Sequence, residues 1–519
     1  MKWLKNLALT VALAGALALA LIASSGSARA ASGTSPTASA TATANPIPAS
    51  ANVGVITRDL VPLRAGPDSA EARLSVLWRG DLLELRGQRG DYVRVWSHTR
   101  ERGGYVRSDQ VWKLRSGPGA TAGLLTLLDY LSDQPGEESL GLSIAAATIQ
   151  ALPPHDLHGT DGAAVLDAIG RQADRLAARA NEGVGIRASE QSRVTAHLEG
   201  AARHGVRFRS VEHDGRVRLC YDGDVNRRLL SHAAATPAQR ARAALALTRP
   251  ECQAQPGAAS EREALNQQRA DVLLKVAPEA VPQPWQQRLL TRRADVWSRL
   301  SYAAARRGDW SAAQAAADVA VTAVAAVSRD GLDEVDREAA RLAALRTNAV
   351  RWALVPGAPP AELPLHLETK TDGRTCLKLQ QPGSKAKVLA QRCTWGQVWM
   401  ASARQNRERN ALVVSVQPVD GWRELWVFRK TPKGWTVLVQ PPAPHDPGVG
   451  YAEFAGWVPG GKSMLLAREA IAGGRTVRRF EVVSLDSLRP RRTAFNPHAL
   501  GQFNRWSDPQ WKQQSLALR

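Results

Sequence analysis

The sequence predicts a multi-domain α+β protein, with a small β-barrel at residues 53–114, an all-α domain at 118–356 and an antiparallel β domain at 364–519. Three observations lead to this prediction. The chain has 519 residues, enough for about three domains of ordinary size. Short alternating apolar runs separated by turns with Gly and Asp occupy both flanking regions. Between them, apolar residues recur at helical spacing among Ala, Leu, Arg and Glu.

The first thirty residues have the pattern of an export signal. Two lysines precede an apolar run at Leu7–Ala23, and Ala-Arg-Ala follows at positions 28–30. This predicts a signal peptide at 1–30, cleaved between Ala30 and Ala31, and a periplasmic or secreted protein. Retention as a membrane anchor is the alternative, because the apolar run is close to spanning length. No other stretch reaches that length, so no stable membrane span is expected after cleavage.

The charge of the chain is carried mainly by arginine. There are 68 basic against 48 acidic residues, a formal charge of +20, and only 12 of the basic residues are Lys. Loss of the signal peptide lowers the charge to +17. Export argues against nucleic acid as a partner and favours an anionic envelope polymer, such as a cell-wall component, or an envelope protein. The alternative is that solvated helix faces carry the arginines without any ligand.

Residues 31–52 are rich in Ala, Ser, Thr and Pro and are expected to form a disordered linker. Four motifs then follow in order: Leu63-Arg64-Ala65-Gly66-Pro67, Gly80–Leu85, Tyr92–Val95 and Gly104–Val111. Their order and spacing resemble the bacterial SH3 (SH3b) family. The resemblance implies an SH3-like barrel that binds a cell-wall component or a protein, in a family often attached to peptidoglycan hydrolases.

Candidate ligand contacts in this barrel are aromatic rings, which stack on flat ligand faces, and an arginine, which pairs with carboxylates. They are Arg64, Trp78, Tyr92, Trp96 and Tyr105. The alternative for each ring is that it belongs to the barrel core.

The middle region combines helices with one short hairpin, expected at 206–221 across Asp214-Gly215. At 297–327, Trp297 begins a W-x-x-L motif, Gly308-Asp309-Trp310 follows as a turn, and small residues come next. This segment resembles a tetratricopeptide repeat, which implies a helical hairpin with a protein-binding surface. An ordinary helical hairpin is the alternative, because three such units are usually needed for a stable stack.

The C-terminal region contains seven alternating runs typical of strands. Within 452–488, Ala455–Ala467 followed by Arg479–Asp486 resembles a PD40-type propeller repeat. The resemblance implies a propeller-like arrangement. About 150 residues are too few for a six- or seven-bladed ring, so a sandwich-like fold is the alternative.

Four cysteines are expected to form disulfides in an oxidising compartment. Four cysteines allow three connectivities. Pairing within regions is preferred, which joins Cys220 to Cys252 and Cys376 to Cys393.

No motif supports catalysis. The stretch Gly456–Ser463 matches the phosphate-loop pattern, but a β-turn is favoured because too little chain follows for the usual parallel core. Cys376 lacks the sequence context of a Cys–His hydrolase. No metal site and no cofactor are expected. We therefore predict an exported binding or scaffold protein without catalysis, similar overall to uncharacterised exported SH3-domain proteins. A peptidoglycan hydrolase or its activator, and a structural spacer in an envelope complex, are the alternatives.

Overall fold

A computed structural model describes residues 52–114, 119–182, 188–328, 330–355, 364–381, 387–444 and 447–514. The predicted signal peptide, the junction of Ala30 with Ala31 and nearly all of the linker lie outside these residues. The described chain is mixed α+β, as expected. An N-terminal antiparallel sheet is followed by a helical region and then by C-terminal sheets. None of the described helices is long and apolar enough to cross a membrane.

The N-terminal region is a seven-stranded sheet. Its strands are β1 (Val53–Ile56), β2 (Val61–Arg64), β3 (Arg73–Leu77), β4 (Leu82–Arg89), β5 (Tyr92–Ser97), β6 (Arg102–Arg107) and β7 (Val111–Lys113). They pair in the order β3-β2-β6-β5-β4-β1-β7, and all pairs are antiparallel. Because β3 and β7 do not pair with each other, hydrogen bonds do not close the expected barrel in this part of the structure. One face of the sheet buries the core residues Ile56, Val61, Leu63, Leu77, Leu83, Val93, Val95, Val106 and Val111.

The helical region contains ten helices and one hairpin within the described residues. These are α1 (Ala120–Ser132), α2 (Glu138–Ala151), α3 (Thr160–Glu182), α4 (Ala188–Arg203), β8 (Phe208–His213), β9 (Arg216–Tyr221), α5 (Asp224–Ser231), α6 (Pro237–Leu247), α7 (Ala259–Leu274), α8 (Trp285–Arg306), α9 (Trp310–Ala325) and α10 (Glu334–Val350). β8 and β9 pair across Asp214 and Gly215, which both have positive φ, as a tight hairpin turn requires.

The segment that resembles a tetratricopeptide unit forms a helical hairpin of α8 and α9. Gly308 has a φ of 78°, which ends the first helix, and the Asp309 side chain accepts a hydrogen bond from the Ala312 N–H to cap the second. Trp297 and Ala320 are buried together, and α10 packs against both helices. This arrangement places three long helices side by side.

The C-terminal region consists of two sheets and two short helices. Its elements are β10 (Leu365–Thr369), β11 (Thr375–Gln380), β12 (Val388–Thr394), β13 (Gln397–Gln405), β14 (Ala411–Val419), β15 (Trp422–Thr431), β16 (Gly434–Gln440), β17 (Val449–Val458), β18 (Ser463–Ala472), β19 (Arg475–Ser484), β20 (Pro490–Ala494), α11 (Gly501–Trp506) and α12 (Pro509–Gln514). β10 to β12 form one sheet. β13 to β20 form the other, in which β16 pairs beside β15.

Two details of the larger sheet bear on the sequence predictions. β15 and β17 pair in parallel, at Trp422 with Gly450, so this region is not wholly antiparallel as expected. The phosphate-loop match lies in an antiparallel hairpin of β17 and β18, with positive φ at Gly460 and Gly461. A strand rather than a helix follows Lys462, which confirms the β-turn interpretation.

The N-terminal sheet packs directly on α2 and α4. Gly80 has a φ of 89°, and a Cβ atom there would lie 2.6 Å from the Ser139 carbonyl oxygen, so only glycine permits this approach. The Ser139 hydroxyl donates to the Arg79 carbonyl at 2.9 Å. Asp59 contacts His197 of α4 at 2.8 Å. The sheet and the helices therefore share a specific polar interface.

The helical region packs against the C-terminal sheet through paired charges. Asp420, in the turn between β14 and β15, contacts Arg299 at 3.0 Å and Arg346 at 2.9 Å. Arg423 of β15 is fully buried and donates to the Asn348 carbonyl at 2.7 Å. Arg299 and Arg346 also belong to the site described next.

Candidate functional site

A groove of about 640 Å³ opens in the helical region between α3, α6, α8 and α10. Charged residues dominate its lining, with eight arginines and four aspartates and therefore an excess of four positive charges. The charged lining residues are Asp133, Arg171, Asp174, Arg175, Arg242, Arg249, Arg288, Arg292, Asp295, Arg299, Asp336 and Arg346. All the arginines are buried or half-buried, so their charges act in a partly desolvated space.

Asp295 of α8 is the main anchor for the arginines at one end of this groove. Its carboxylate lies 3.0 Å from Arg346 Nε, and Arg299 Nε lies at 3.2 Å. Arg269 approaches from α7 at 3.5 Å. Burial by itself would raise the pKa of Asp295, but the guanidinium groups outweigh burial and hold that pKa well below its usual range. This carboxylate is therefore ionised and fully engaged.

Other arginines of the groove are held by carboxylates along its walls. Arg242 makes a bidentate pair with Asp167 at 2.9 and 2.6 Å. Arg288 contacts Asp336 at 2.7 Å. The guanidinium carbons of Arg242 and Arg288 lie 5.4 and 4.8 Å from the centre of the Trp285 ring. These contacts fix the two side chains and make one wall of the groove rigid.

Arg175 of α3 and Arg292 of α8 differ from the rest. Within the described chain, neither has a carboxylate within 4 Å. Arg175 donates to the Ser132 carbonyl, and its Nη1 is buried without a hydrogen-bond partner among the described residues. Arg292 donates to the Thr248 carbonyl, and burial lowers its pKa despite the attraction of Asp295. Neither cation forms an ion pair with a described residue, although Asp295 and Glu251 attract Arg292 at longer range.

Asp174 does not remove this deficit. It lies beside Arg249, with a separation of 3.4 Å. Burial raises the pKa of Asp174 more than Arg249 lowers it. Among the described residues Asp174 forms its ion pair with Arg249, so it neutralises neither Arg175 nor Arg292. The groove is thus chemically suited to an oxyanion that accepts several guanidinium hydrogen bonds.

The five predicted contacts of the N-terminal sheet lie mostly on one face. Tyr92 and Trp96 alternate along β5, and strand register places Tyr105 beside that row and Arg64 beside Tyr105. This face is opposite the core residues of the same strands. Trp78 follows β3 and is not part of the row. The structure therefore brings four of the five residues together.

Several of these side chains already have partners. Tyr92 is 8% exposed, and the Arg64 guanidinium donates to the Glu71 carbonyl at 2.8 Å. The guanidinium carbon of Arg86 lies 4.6 Å from the centre of the Trp96 ring. Trp78 and Tyr105 are half-buried. Trp96, Tyr105 and Arg64 keep partial exposure on the face, whereas Tyr92 contributes mainly to packing.

The cysteines form two disulfides, Cys220–Cys252 and Cys376–Cys393. The first joins β9 to the turn before α7, and the second links directly opposed residues of β11 and β12. A disulfide-bonded Cys376 carries no thiolate, which is the nucleophile of a Cys–His hydrolase. No group of three His, Cys, Asp or Glu side chains that could hold a metal ion occurs within the described ranges.

Sequence reasoning missed the arginine groove, although a signal for it exists. Arg288, Arg292, Asp295 and Arg299 recur at helical spacing on α8, so they share one face of that helix. Arg171 and Arg175 do the same on α3. A charged stripe on one helix is usually a solvated face. Only the meeting of two such stripes from distant segments makes a groove.

No family model and no curated protein matches this chain. A search of solved structures found a crystal structure of the S-layer protein rSbsC(31-844), which is 11% identical, with a TM-score of 0.14. The alignment covers 72% of this chain and 56% of that one, so this chain matches little more than half of the S-layer protein.

Proposed function

We propose that this chain is an exported, envelope-associated binding protein that acts without catalysis, and that the arginine groove binds an oxyanion-bearing envelope ligand. The ligand class is defined by phosphate or carboxylate groups. The observation that carries the proposal is the pair Arg175 and Arg292, which are half-buried cations without a carboxylate partner among the described residues.

The physical reason is the cost of an uncompensated charge. A desolvated guanidinium is unfavourable unless an anion and hydrogen bonds compensate it. Six of the eight groove arginines form ion pairs, either with lining aspartates or with carboxylates just outside the lining, such as Asp167 and Asp420. Arg175 and Arg292 are the two lining arginines without one among the described residues. An oxyanion that enters the groove supplies the missing charge. Arginine, rather than lysine, suits this role because its planar fork matches phosphate and carboxylate oxygens.

The family resemblances extend this proposal to the whole chain. The N-terminal sheet is proposed to act as an SH3b module, with Arg64, Trp96 and Tyr105 facing a cell-wall component or a protein partner. The hairpin of α8 and α9 is proposed as a tetratricopeptide-like unit, and residues 452–488 as a PD40-like repeat. Two disulfides and the absence of a spanning helix among the described residues are compatible with export and a cleaved signal peptide.

The test compares two double variants of the mature protein with equal loss of charge. Arg175→Gln with Arg292→Gln removes the unpaired cations of the groove. Arg216→Gln with Arg407→Gln removes two exposed cations that lie outside the groove and outside the N-terminal sheet. Affinity is measured by calorimetry for polyphosphate and for polyglutamate of matched length, at two salt concentrations.

We expect the groove variant to bind at least about tenfold more weakly, because a hydrogen bond to a charged group contributes about 1.5–3 kcal/mol. The matched control keeps its affinity within about twofold. Thermal unfolding of both variants is measured as well, because Arg175 and Arg292 also donate to the Ser132 and Thr248 carbonyls, and this measurement separates a loss of binding from a loss of fold. An equal loss in both variants would mean that net charge alone attracts anions, and the proposal would then be wrong. The two polymers distinguish phosphate from carboxylate sources.

A further inference from the structure

A second cavity, of about 850 Å³, lies in the C-terminal region, where one face of β17, β18 and β19 meets α11 and α12. Tyr451, Glu469 and Phe480 come from these three strands and form its floor. Strand register places Tyr451 directly opposite Glu469. The cavity is far along the chain from the arginine groove and shares no lining residue with it.

Glu469 is a buried carboxylate with spare acceptor capacity. It is 7% exposed. One of its oxygens accepts a hydrogen bond from the Tyr451 hydroxyl at 3.0 Å. Burial and the nearby Glu469 raise the pKa of Tyr451, so the hydroxyl stays protonated and keeps donating. Within the part of the chain that the structure describes, Glu469 has no other hydrogen bond and no ion pair, so its second oxygen can accept from a ligand in the cavity.

Two buried arginines lie behind the floor, next to Tyr451 rather than in contact with Glu469. The guanidinium carbon of Arg423 lies 5.5 Å from the centre of the Tyr451 ring. Arg423 and Arg351 both contact Glu453. Two arginines therefore accompany two carboxylates in this buried cluster. An incoming ligand does not need to bring a charge, and Arg478 and Lys512 in the lining disfavour a cationic one.

The walls of the cavity are aromatic. Phe480, Phe503 and Trp511 contact one another edge to face, with ring centres 5.6 to 6.4 Å apart. At the mouth, Phe495 is 80% exposed, an unusual position for a phenylalanine. Asn496 and Asn504 lie beside it. The Asn496 Oδ1 accepts from the His498 N–H and both amide atoms of Asn504 contact His498, which leaves the Asn496 Nδ2 as a donor for a ligand. An exposed ring, an amide donor and a buried acceptor together suit a ligand with one apolar face and several hydroxyl groups.

We propose that this cavity binds a saccharide unit of an envelope glycan. The apolar face of the sugar ring stacks on Phe495, one hydroxyl group donates to Glu469, and another accepts from the Asn496 amide nitrogen. An acidic substituent on the sugar would face Arg478 and Lys512. This site is independent of the arginine groove, and each proposal can fail while the other holds.

The experiment titrates the full mature chain with chitotriose, a neutral sugar, and with trigalacturonate, an acidic one, by calorimetry. Phe495→Ala tests stacking without disturbing the core, because the ring is exposed. Glu469→Gln tests the buried acceptor. Trp395→Ala is the matched control, since that ring is 57% exposed and lies outside the cavity. Thermal unfolding of each variant is measured in parallel.

We expect binding of at least one sugar, weakened about tenfold by Phe495→Ala and by Glu469→Gln. Trp395→Ala leaves the affinity unchanged, and Phe495→Ala leaves the melting temperature unchanged. Preference for trigalacturonate would support the role of Arg478 and Lys512, and preference for chitotriose would support a neutral glycan. The proposal is overturned if neither sugar binds at millimolar concentration, or if Phe495→Ala binds as tightly as the wild type.

Discussion

His204 makes the contact between the N-terminal sheet and the helical region sensitive to pH. Its Nε2 lies 3.1 Å from the Ser143 hydroxyl, which in turn lies 2.5 Å from the Gly80 carbonyl oxygen. Burial, assisted by repulsion from Arg203, lowers the pKa of His204 to about 4, and Asp81 offsets only part of this effect. The histidine is therefore neutral in the folded protein near pH 7.

The size of the effect follows from the two pKa values. The ordinary pKa of the side chain is 6.5. Between 6.5 and about 4, the unfolded chain binds more protons than the folded one, so acid favours unfolding. The contribution of neutral His204 to the stability of the fold is fully present above pH 6.5 and is lost as the pH falls towards 4. Linkage gives a loss of about 2 kcal/mol by pH 5 and about 3 kcal/mol by pH 4.

Urea unfolding at pH 7.5 and pH 5, followed by tryptophan fluorescence, measures this loss. The glutamine in His204→Gln does not titrate. Between pH 7.5 and pH 5 we therefore expect the wild type to lose about 2 kcal/mol more of its free energy of unfolding than this variant loses. His155→Gln is the matched control, because His155 is an exposed loop residue, and it should follow the wild type. If His204→Gln loses as much stability as the wild type, burial of a neutral histidine does not explain the pH dependence.

Two further predictions concern stability. Asp295→Asn leaves Arg269 without a carboxylate and leaves Arg299 and Arg346 to share Asp420. It should lower the free energy of unfolding by about 3–5 kcal/mol in urea unfolding. Asp318→Asn, at an exposed position of α9, should change it by less than about 0.5 kcal/mol, and an equal effect would contradict the role of Asp295. Replacing Cys220 and Cys252 together with Ser opens a loop with a separation of 32 residues. This double variant should lose about 3–4 kcal/mol by the same assay, and unchanged stability would refute the chain-entropy argument.

Local patterns in the sequence predict the order of the regions. Alternation with Gly and Asp turns predicts the strands of the N-terminal region, and helical periodicity predicts the middle. The hairpin of β8 and β9 depends on Asp214 and Gly215, which favour positive φ. The turn between β17 and β18 likewise depends on Gly460 and Gly461. These features are predictable because residues close in sequence determine them.

Features that join distant segments could not be predicted in this way. The N-terminal sheet stays open because its edge strands β3 and β7 do not pair. Alternation of apolar residues does not determine which strands lie at the edges. The parallel pairing of β15 with β17 depends on how the chain returns past β16. In the sequence, Glu469 is one polar residue within a predicted strand. It becomes part of a cavity only because α11 and α12 pack over that strand. The candidate sites belong to this second class.

The charge of the arginine groove depends on the C-terminal region as well as on the helices. Arg299 and Arg346 line the groove, yet each also contacts Asp420 from the turn between β14 and β15. Asp295 alone would face three arginines, Arg269 among them, so Asp420 supplies the second carboxylate at this end. Among the described residues, no carboxylate lies within ion-pair distance of Arg175 or Arg292. The β region therefore helps to neutralise Arg299 and Arg346 and leaves Arg175 and Arg292 as the groove arginines without an ion pair, and these are the two that an oxyanion would contact.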